Sequence, residues 1–404
     1  MDNKELFLAV NPVFATAKGC LALLKHTGIK EASDLANIID TTVQNSSDTP
    51  KEIGRAYMIS NEARYHIGNI MAAESGCDVI TDLPCGYVPR GLAVSGKGMT
   101  FYGFDLPAVI EELEPAIRSI ATDEQNRLMH FAAVDATNYE SLRSALSEVN
   151  GKICILTDGL LGYFNKPELD SVCDNIRRLL TEHGGVWITA DKFSLELGAE
   201  TFSALTGSDG EVIMQMMARG GAKVADIPVT HTVIHDGSEE EARKYFNEHG
   251  FIIRELTYAD KVPELLSLKD SPEDMAKLRE AYKRIKIWVM SVNAGSNTKS
   301  VESRKFRVEF HCDDNKILTC SITGRLDTIT APDLLTGFNE NKKDDLKEIT
   351  VDLAETEYIS SAGLRVLLMM CKSLSDSKNF HIINYSEDIL EILNVTGFAE
   401  LFGM

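Results

Sequence analysis

A strand passes into a helix along Tyr358-Ile359-Ser360-Ser361-Ala362-Gly363-Leu364-Arg365-Val366-Leu367-Leu368. The preceding run, Glu348–Leu353, is typical of a strand, and the residues from Ser361 onward have the apolar spacing of an amphipathic helix. The two serines therefore lie at a helix N-terminus, where backbone N–H groups lack helical partners and the helix dipole favours negative charge. A phosphate there is electrostatically compatible and would change the surface charge by about −1.5 to −2.

The residues around this run predict a small mixed α/β domain at 303–404. Three further strands are expected at Lys305–His311, Lys316–Ile322 and 380–383. Two further helices are expected, one after Ala331-Pro332 and one at Glu387–Leu393. The turn Asp313-Asp314-Asn315 joins the first two strands. A segment of this size is long enough to fold independently. Upstream, Ser291–Ser300 is polar and turn-forming, so we predict a linker at 291–302.

The first three quarters of the chain change character near Asp78. Residues 1–75 are predicted to be mostly helical, with a polar loop at Gln44–Lys51. From there, strands alternate with helices and predict a parallel sheet covered on both faces, in a core domain at 76–290. The expected strands are 79–81, 99–104, 128–133, 153–157 and 185–190, and the expected helices are 108–120, 139–148 and 166–182. The segments Lys223–Ile234, Ser238–Glu248 and Phe251–Leu256 are expected to form a reversed end of the sheet.

An aspartate follows each of the first four predicted strands. These residues are Asp82, Asp105, Asp135 and Asp158. Ligands of open α/β sheets bind beyond the carboxyl ends of the strands, so acids in this register predict a shared site. A single aspartate there more often caps a helix, which is the alternative for each residue taken alone.

Four segments at these strand ends carry a family resemblance. They are Asp82–Arg90, Tyr102–Val109, Ala133–Asp135 and Leu156–Phe164. In order and spacing, residues 1–290 resemble class I S-adenosylmethionine-dependent methyltransferases, most closely the leucine carboxyl methyltransferase and polyketide O-methyltransferase group. The resemblance implies a Rossmann-like methyltransferase sheet with an N-terminal helical lid, and S-adenosylmethionine as cofactor.

The resemblance also implies roles for individual residues. Asp82 and Gly86 would belong to the cofactor loop, where Gly86 lets the backbone approach the methionine end. Asp105 would hold the ribose, and Asp135 with Ala136 the adenine. Asp158 would lie near the sulfonium or amino group. Arg64 would bind a carboxylate of cofactor or substrate, with a surface arginine as the alternative, and Tyr163 would line the acceptor pocket or merely pack.

The implied reaction is methyl transfer to a carboxylate or hydroxyl oxygen of a small molecule or peptide. The loop departs from the family pattern because Pro84 and Cys85 precede a single glycine, and proline has no N–H to donate. The alternative is therefore a non-catalytic sensor of S-adenosylmethionine or another metabolite. A dinucleotide oxidoreductase is disfavoured because no G-x-G-x-x-G follows the first strand. His231 and His235 lack the acid of an H-E-x-x-H motif, which favours structural histidines.

Residues 303–404 resemble a second family. Ile322–Asp327, Val351–Leu364 and Leu393–Phe398 are similar to the STAS domains of anti-sigma factor antagonists. The resemblance implies phosphorylation of Ser361 by a partner kinase, and docking on a regulatory kinase, phosphatase or anti-sigma factor. Ser360 stands where many relatives have aspartate. Helix capping by either serine is the alternative, and it is compatible with modification.

Composition narrows the partners. The chain has 404 residues, 44% of them hydrophobic, a net charge of −20 and a pI of about 4.9. Such a surface repels nucleic acid and anionic membranes, so we predict neither as a partner. The eight cysteines form no C-x-x-C pair, which favours reduced thiols over a metal site. The N-terminus does not have the pattern of a signal peptide, and we expect a cytoplasmic protein.

Overall fold

The computed structural model describes residues 14–41, 50–210, 232–292, 305–313, 316–342 and 346–404. The described residues fall into two compact units. The N-terminal unit takes in residues 14–41, 50–136, 142–210 and 232–292, and the C-terminal unit takes in residues 137–141, 305–313, 316–342 and 346–404. Several predicted features lie outside the described residues: residues 44–49 of the polar loop, His231, residues 223–231, residues 293–302 of the linker, and the turn residues Asp314 and Asn315.

The N-terminal unit is built on a seven-stranded sheet with the order β3-β2-β1-β4-β5-β7-β6. Its strands are β1 Val79–Asp82, β2 Thr100–Asp105, β3 Met129–Ala133, β4 Ile153–Thr157, β5 Gly185–Thr189, β6 Phe251–Thr257 and β7 Lys286–Val292. Strands β1 to β5 are parallel, whereas β7 runs antiparallel to both β5 and β6. Every residue of β4 is buried, as expected of a parallel strand covered on both faces. The predicted Rossmann-like sheet is confirmed.

Helices accompany this sheet, although the first three residues of Tyr139–Ala145 are grouped with the C-terminal unit. In chain order they are α1 Phe14–Leu24, α2 Lys30–Ala36, α3 Lys51–Glu74, α4 Arg90–Ser95, α5 Pro107–Ile120, α6 Asp123–Leu128, α7 Tyr139–Ala145, α8 Lys166–His183, α9 Ser194–Thr206, α10 Glu239–Glu248, α11 Tyr258–Lys261 and α12 Pro272–Ala281. Short 3₁₀ turns occupy Leu161–Tyr163, Asp191–Phe193 and Leu266–Leu268. Capping boxes at Thr122, Asn165, Ser238 and Thr257 fix the starts of four helices.

The reversed end of the sheet differs from the prediction. Strand β7 lies between β5 and β6, a position for which the sequence analysis proposed no segment after Phe251–Leu256. The described part of Lys223–Ile234 begins at Thr232 and forms a turn rather than a strand. Strand β7 also continues through Ser291 and Val292, where the predicted linker begins. Its continuous apolar run, Ile287–Met290, does not by its period distinguish a buried strand from a helix.

The C-terminal unit has a four-stranded sheet with the order β11-β10-β9-β8. Its elements are β8 Arg307–Cys312, β9 Ile317–Leu326, α13 Ala331–Asn341, β10 Glu348–Ile359, α14 Ser361–Lys372, β11 Phe380–Ile383, α15 Glu387–Val395 and α16 Phe398–Leu401. Strands β8 and β9 are antiparallel, whereas β10 is parallel to both β9 and β11. Alternate residues of β9 are buried in the core beneath α13 and α14. The predicted second α/β domain is confirmed as a separate sheet.

Candidate functional site

The four predicted acids lie at one edge of the seven-stranded sheet. Asp82 and Asp105 are the last residues of β1 and β2, Asp158 directly follows β4, and Asp135 follows β3. Because these strands are parallel neighbours, their carboxyl ends share this edge. The sheet order therefore ranks the acids across the edge as Asp135, Asp105, Asp82 and Asp158.

Asp105 is tied to the loop that follows β1. Its Oδ2 accepts a hydrogen bond from the Gly86 N–H at 2.7 Å, and its Oδ1 accepts one from the Leu106 N–H at 2.8 Å. Gly86 has a φ of +51°, a left-handed conformation that favours glycine. Burial raises the pKa of Asp105 to about 7, although both N–H groups oppose the shift. The predicted ribose and loop residues are thus in direct contact.

Asp82 forms a buried ion pair with Arg90, the first residue of α4. The Arg90 Nε donates to Asp82 Oδ2 at 2.7 Å, and the Asp82 side chain is 1% exposed. Arg90 also donates to Asn69 Oδ1 at 3.0 Å. Burial raises the pKa of Asp82 to about 6, with Arg90 lowering it. Asp82 Oδ1 is buried and has no hydrogen-bond partner among the described residues.

Asp158 is paired with Arg64 from helix α3. The Arg64 Nε lies 2.8 Å from Asp158 Oδ1, and its terminal nitrogen lies 2.6 Å from the same oxygen. Burial lowers the pKa of Arg64, but the Asp158 carboxylate together with Cys20 and Tyr258 more than offsets this, so the guanidinium pKa lies above its ordinary value. The Arg64 side chain is partly buried, at 21% exposed, and ion-paired. Arg90 lies 3.8 Å from Asp158 and connects the two pairs.

Asp191, after β5, holds the loop that contains Asp158. Its carboxylate accepts the N–H groups of Gly159, Leu160 and Leu161 at 2.7, 2.9 and 2.8 Å. Burial raises the pKa of Asp191, and the nearby Asp158 raises it further. Asp191 was not among the predicted site residues. The signal was available, since Asp191 is a fifth acid in the same post-strand register.

The remaining predicted residues lie around the same edge. Asp135 and Ala136 are buried after β3, and the Ala136 carbonyl accepts a hydrogen bond from Asn175 Nδ2 at 2.9 Å. Tyr163 is half-buried at the end of the 3₁₀ turn after β4. The His235 ring lies beside this turn, with Nε2 2.9 Å from the Gly162 carbonyl oxygen.

Helix α1 lies against the cofactor-loop candidate. Lys18 of α1 pairs with Glu112 at 2.8 Å, and Tyr87, next to Gly86, donates its hydroxyl to the same carboxylate at 2.8 Å. A Cβ added at Gly86 would lie 3.9 Å from Ala17 Cβ. These contacts place helix α1 against the loop after β1.

In the C-terminal unit, the two serines occupy different environments. Ser360 is the N-cap of α14, is 1% exposed, and its hydroxyl accepts the Gly363 N–H at 3.2 Å. Ser361, the first residue of the helix, is exposed. A Cβ at Gly363 would lie 2.7 Å from the Leu326 carbonyl oxygen, so glycine is needed where the helix meets β9. Capping is thus the structural role of Ser360, and Ser361 is the exposed residue of the two.

Comparison with known sequences identifies this unit. The family model of the STAS domain matches residues 311–404. Over 81 residues the chain is 30% identical to an anti-sigma-B factor antagonist of Staphylococcus epidermidis, which is 20% of this chain and 75% of that protein. The chain belongs to the STAS family through its C-terminal unit. In this STAS domain, Ser361 is the exposed serine of the strand-to-helix junction.

Solved structures similar to the chain include methyltransferases. A Thermobifida fusca protein assigned as a methyltransferase has a TM-score of 0.41 and 14% identity, over 71% of this chain and 96% of its own. Human N-acetylserotonin methyltransferase, solved with S-adenosylmethionine, has a TM-score of 0.33 and 9% identity, and the match covers 60% of this chain and 56% of that protein. These likenesses are distant, and the Rossmann-like fold of the unit before the STAS domain follows from its own strand order.

The thiols and acids form no metal centre within the described ranges. All eight cysteines are free, and Cys85 of the candidate cofactor loop is buried with its pKa raised well above the ordinary value by burial. No group of three or more His, Cys, Asp or Glu side chains is arranged for a metal ion in the described part of the chain. Over those same residues, none of the helices combines the length and apolar character of a bilayer span.

Proposed function

We propose that this chain is a cytosolic S-adenosylmethionine-dependent O-methyltransferase joined to a phosphorylatable STAS domain. The observation that carries the proposal is the direct contact of Asp105 with Gly86, at an edge shared with Asp82, Asp135 and Asp158. A nucleoside with a charged sulfur calls for hydroxyl acceptors at one end of a cleft and charged partners at the other. The arrangement of acids supports that order.

The residues fit such a cofactor individually. Each Asp105 oxygen uses one lone pair on a backbone N–H and retains capacity for ribose hydroxyls. Asp135 and Ala136 lie on the far side of Asp105 from β1, where an adenine would follow the ribose. Asp158 and Arg64 lie on the opposite side, suited to the amino and carboxylate groups of the methionine end. The partnerless Asp82 Oδ1 between them is an acceptor that a cofactor amine would satisfy.

The proposed reaction requires the chain's own residues mainly to position the reactants. S-adenosylmethionine, when bound, supplies a methyl group on a sulfonium. The protein's residues align the acceptor and exclude water under the cover of helix α1. A carboxylate acceptor has no proton to lose and needs no general base, whereas a hydroxyl needs one. Tyr163, beside the Asp158 loop, is the residue we propose to line the acceptor pocket.

One observation favours a second function, metabolite sensing without turnover. The loop after β1 has few backbone donors for a ligand, since Pro84 has none, Cys85 N–H donates to the Phe104 carbonyl at 2.8 Å, and Gly86 N–H donates to Asp105. A cofactor must displace these bonds or bind without them. Weak binding that only biases docking by the STAS domain is the form this alternative takes.

For the STAS domain we propose phosphorylation of Ser361 and docking on a regulatory kinase, phosphatase or anti-sigma factor. Ser361 is exposed and is the first residue of helix α14, and both features support a phosphate on this residue. The methyl acceptor of the other unit is proposed to be a small molecule or peptide. We propose no nucleic-acid or membrane partner, because the net charge is −20.

The test separates enzyme from sensor. Calorimetric titration of the full chain with S-adenosylmethionine and S-adenosylhomocysteine measures cofactor binding. A methyl-release assay on mixed carboxylates and phenols measures turnover. Binding with turnover supports the enzyme, and binding without turnover supports the sensor. Absence of binding in wild-type protein rejects both.

Asp105→Asn should lose most of the affinity. Asp270→Asn, at an exposed aspartate with no side-chain contact among the described residues, is the matched control.

A further inference from the structure

Lys192 is a buried cation that has no ion pair with a carboxylate in the part of the chain that the structure describes. It follows Asp191 after β5, and 9% of it is exposed. Its Nζ donates to the Ile234 carbonyl oxygen at 3.2 Å, and this is its sole hydrogen bond within the described ranges. The pKa of Glu241 is lowered mainly by hydrogen bonds from Ser238, with the charge of Lys192 contributing last. Buried charges are normally paired, so the counter-ion of Lys192 is to be sought outside the described chain.

The position of Lys192 connects it with the Asp158 loop. The preceding residue, Asp191, binds three N–H groups of that loop. The residue after Ile234 is His235, whose Nε2 is 2.9 Å from the Gly162 carbonyl. Lys192 and His235 are therefore held by the same short turn, next to the 3₁₀ turn that ends at Tyr163. This is the side of the edge beyond β4, away from the ribose candidate Asp105.

A hydroxyl without a partner lies in the same turn. Thr232 is 7% exposed, and its Oγ1 has no hydrogen-bond partner among the described residues. Its carbonyl accepts the N–H groups of His235 and Asp236 at 3.1 and 2.9 Å, which fixes the turn as one unit. A buried ammonium with spare donors and a buried, unused hydroxyl together match a carboxylate, which accepts several hydrogen bonds at once.

We propose that Lys192, assisted by Thr232, binds the carboxylate of an acidic methyl acceptor. The inference rests on the proposed methyltransferase function and makes it more specific, since it selects carboxylates over neutral hydroxyl compounds. Lys192 supplies a positive charge for the acceptor that the described residues Arg64 and Arg90 do not, because those two are already paired with Asp158 and Asp82. The Lys192 ammonium fixes the acceptor's orientation and its charge preference.

The experiment uses the full chain saturated with S-adenosylhomocysteine, with benzoate as the acidic probe and benzyl alcohol as the neutral one. Binding is followed by calorimetry or ligand-detected NMR in wild type, Lys192→Met, Lys192→Arg and Thr232→Val. Lys97→Met is the matched control, because Lys97 is exposed and its side chain makes no hydrogen bond or ion pair among the described residues. Thermal unfolding and S-adenosylhomocysteine affinity verify that each variant is folded.

We expect wild type to prefer benzoate to benzyl alcohol by tenfold or more. Lys192→Met should lower benzoate affinity at least tenfold and leave benzyl alcohol unchanged, while Lys192→Arg keeps the preference and Lys97→Met behaves as wild type. If Lys192→Met does not fold, Thr232→Val carries the test with an expected loss of threefold or more.

Equal affinity of the wild type for the two probes, absence of benzoate binding, or undiminished benzoate affinity in folded Lys192→Met and Thr232→Val would overturn the assignment. Failure of S-adenosylhomocysteine to bind wild type rejects the methyltransferase function instead. The benzoate comparison is then made on the protein alone and still decides the anion site.

Discussion

At the residue scale, two carboxylates of the candidate site accept hydrogen bonds from backbone N–H groups of neighbouring loops. Asp105 fixes Gly86, and Asp191 fixes three consecutive N–H groups of the Asp158 loop. A buried carboxylate that accepts several N–H groups of a loop fixes the position of that loop through charge-assisted hydrogen bonds. The geometry of the loop proposed to hold the methionine end therefore depends on Asp191.

Replacing Asp191 should loosen that loop. Asp191→Asn leaves one acceptor oxygen and turns an NH₂ group toward buried N–H donors, so we expect a loss of about 2–3 kcal/mol in unfolding free energy. Tryptophan fluorescence during urea denaturation is a suitable measurement, because Trp187 and Trp288 both lie in the seven-stranded sheet. The control is Asp270→Asn. Equal stability of the two variants would contradict a structural role for Asp191.

The pH dependence of ligand affinity tests Asp105. Burial raises its pKa to about 7, and only the ionised form has full acceptor capacity for ribose hydroxyls. We therefore expect the affinity for S-adenosylhomocysteine to rise from about pH 6 to about pH 8 and then level off. Burial raises the pKa of Asp82 to about 6, so its ionisation contributes to the gain in affinity at the lower end of this pH range.

The pH dependence of folding stability has the opposite sign to that of ligand affinity. The folded state binds more protons than the unfolded state, so the contribution of Asp105 to stability falls as the pH rises from about 4 to about 7. A ligand affinity that is flat with pH, or one whose slope survives in Asp105→Asn, would argue against the ribose role.

Sequence reasoning located acids but not their partners. Asp82, Asp105, Asp135 and Asp158 were recognisable because each follows a strand. The bonds that occupy them were not, since Asp158 pairs with Arg64 from a helix far back in the chain. Asp191 likewise acts on a loop some thirty residues earlier. Such contacts depend on which strands are neighbours, and the sequence pattern does not contain that information.

At the element scale, the start of α14 depends on a close approach. A Cβ at Gly363 would lie 2.7 Å from both the Leu326 carbonyl oxygen and its Cγ. Gly363→Ala should thus destabilise the STAS domain by about 1–3 kcal/mol, as overpacking does. Gly19→Ala, in helix α1 with nothing within 4 Å of the added Cβ, should stabilise its helix by about 0.5–1 kcal/mol.

Hydrogen exchange followed by mass spectrometry resolves these two changes. Peptides from β9 and α14 should exchange faster in Gly363→Ala only, and peptides from α1 slower in Gly19→Ala only. Unchanged exchange in α14 would mean that the helix shifts to accept the methyl group at little cost.

The two serines of the same junction should separate in a phosphorylation experiment. With a partner switch kinase and ATP, we expect one added phosphate by intact mass, absent in Ser361→Ala and still present in Ser360→Ala. Ser360→Ala should instead cost about 1 kcal/mol through the lost cap. An unchanged intact mass with each kinase tried, or a phosphate that survives Ser361→Ala, would count against the proposed site.

Elements were predictable where the pattern was local. The helix at 166–182 is observed as Lys166–His183, because its capping box and apolar period are both present in the sequence. Strand β7 was missed, because its place between β5 and β6 is decided by packing: Trp288 on β7 contacts Phe193 and Phe246, from other elements of the unit. Tertiary context, rather than local propensity, makes it a strand.

At the scale of the whole molecule, a STAS domain follows a Rossmann-like unit whose acids share one sheet edge. The structure of the full chain with S-adenosylhomocysteine tests this claim most directly. We predict density at that edge, with the ribose at Asp105, the adenine at Asp135 and Ala136, and the amino acid end between Asp158 and Arg64. Density elsewhere, or none at saturating ligand while Asp105 remains bonded to Gly86, would contradict it.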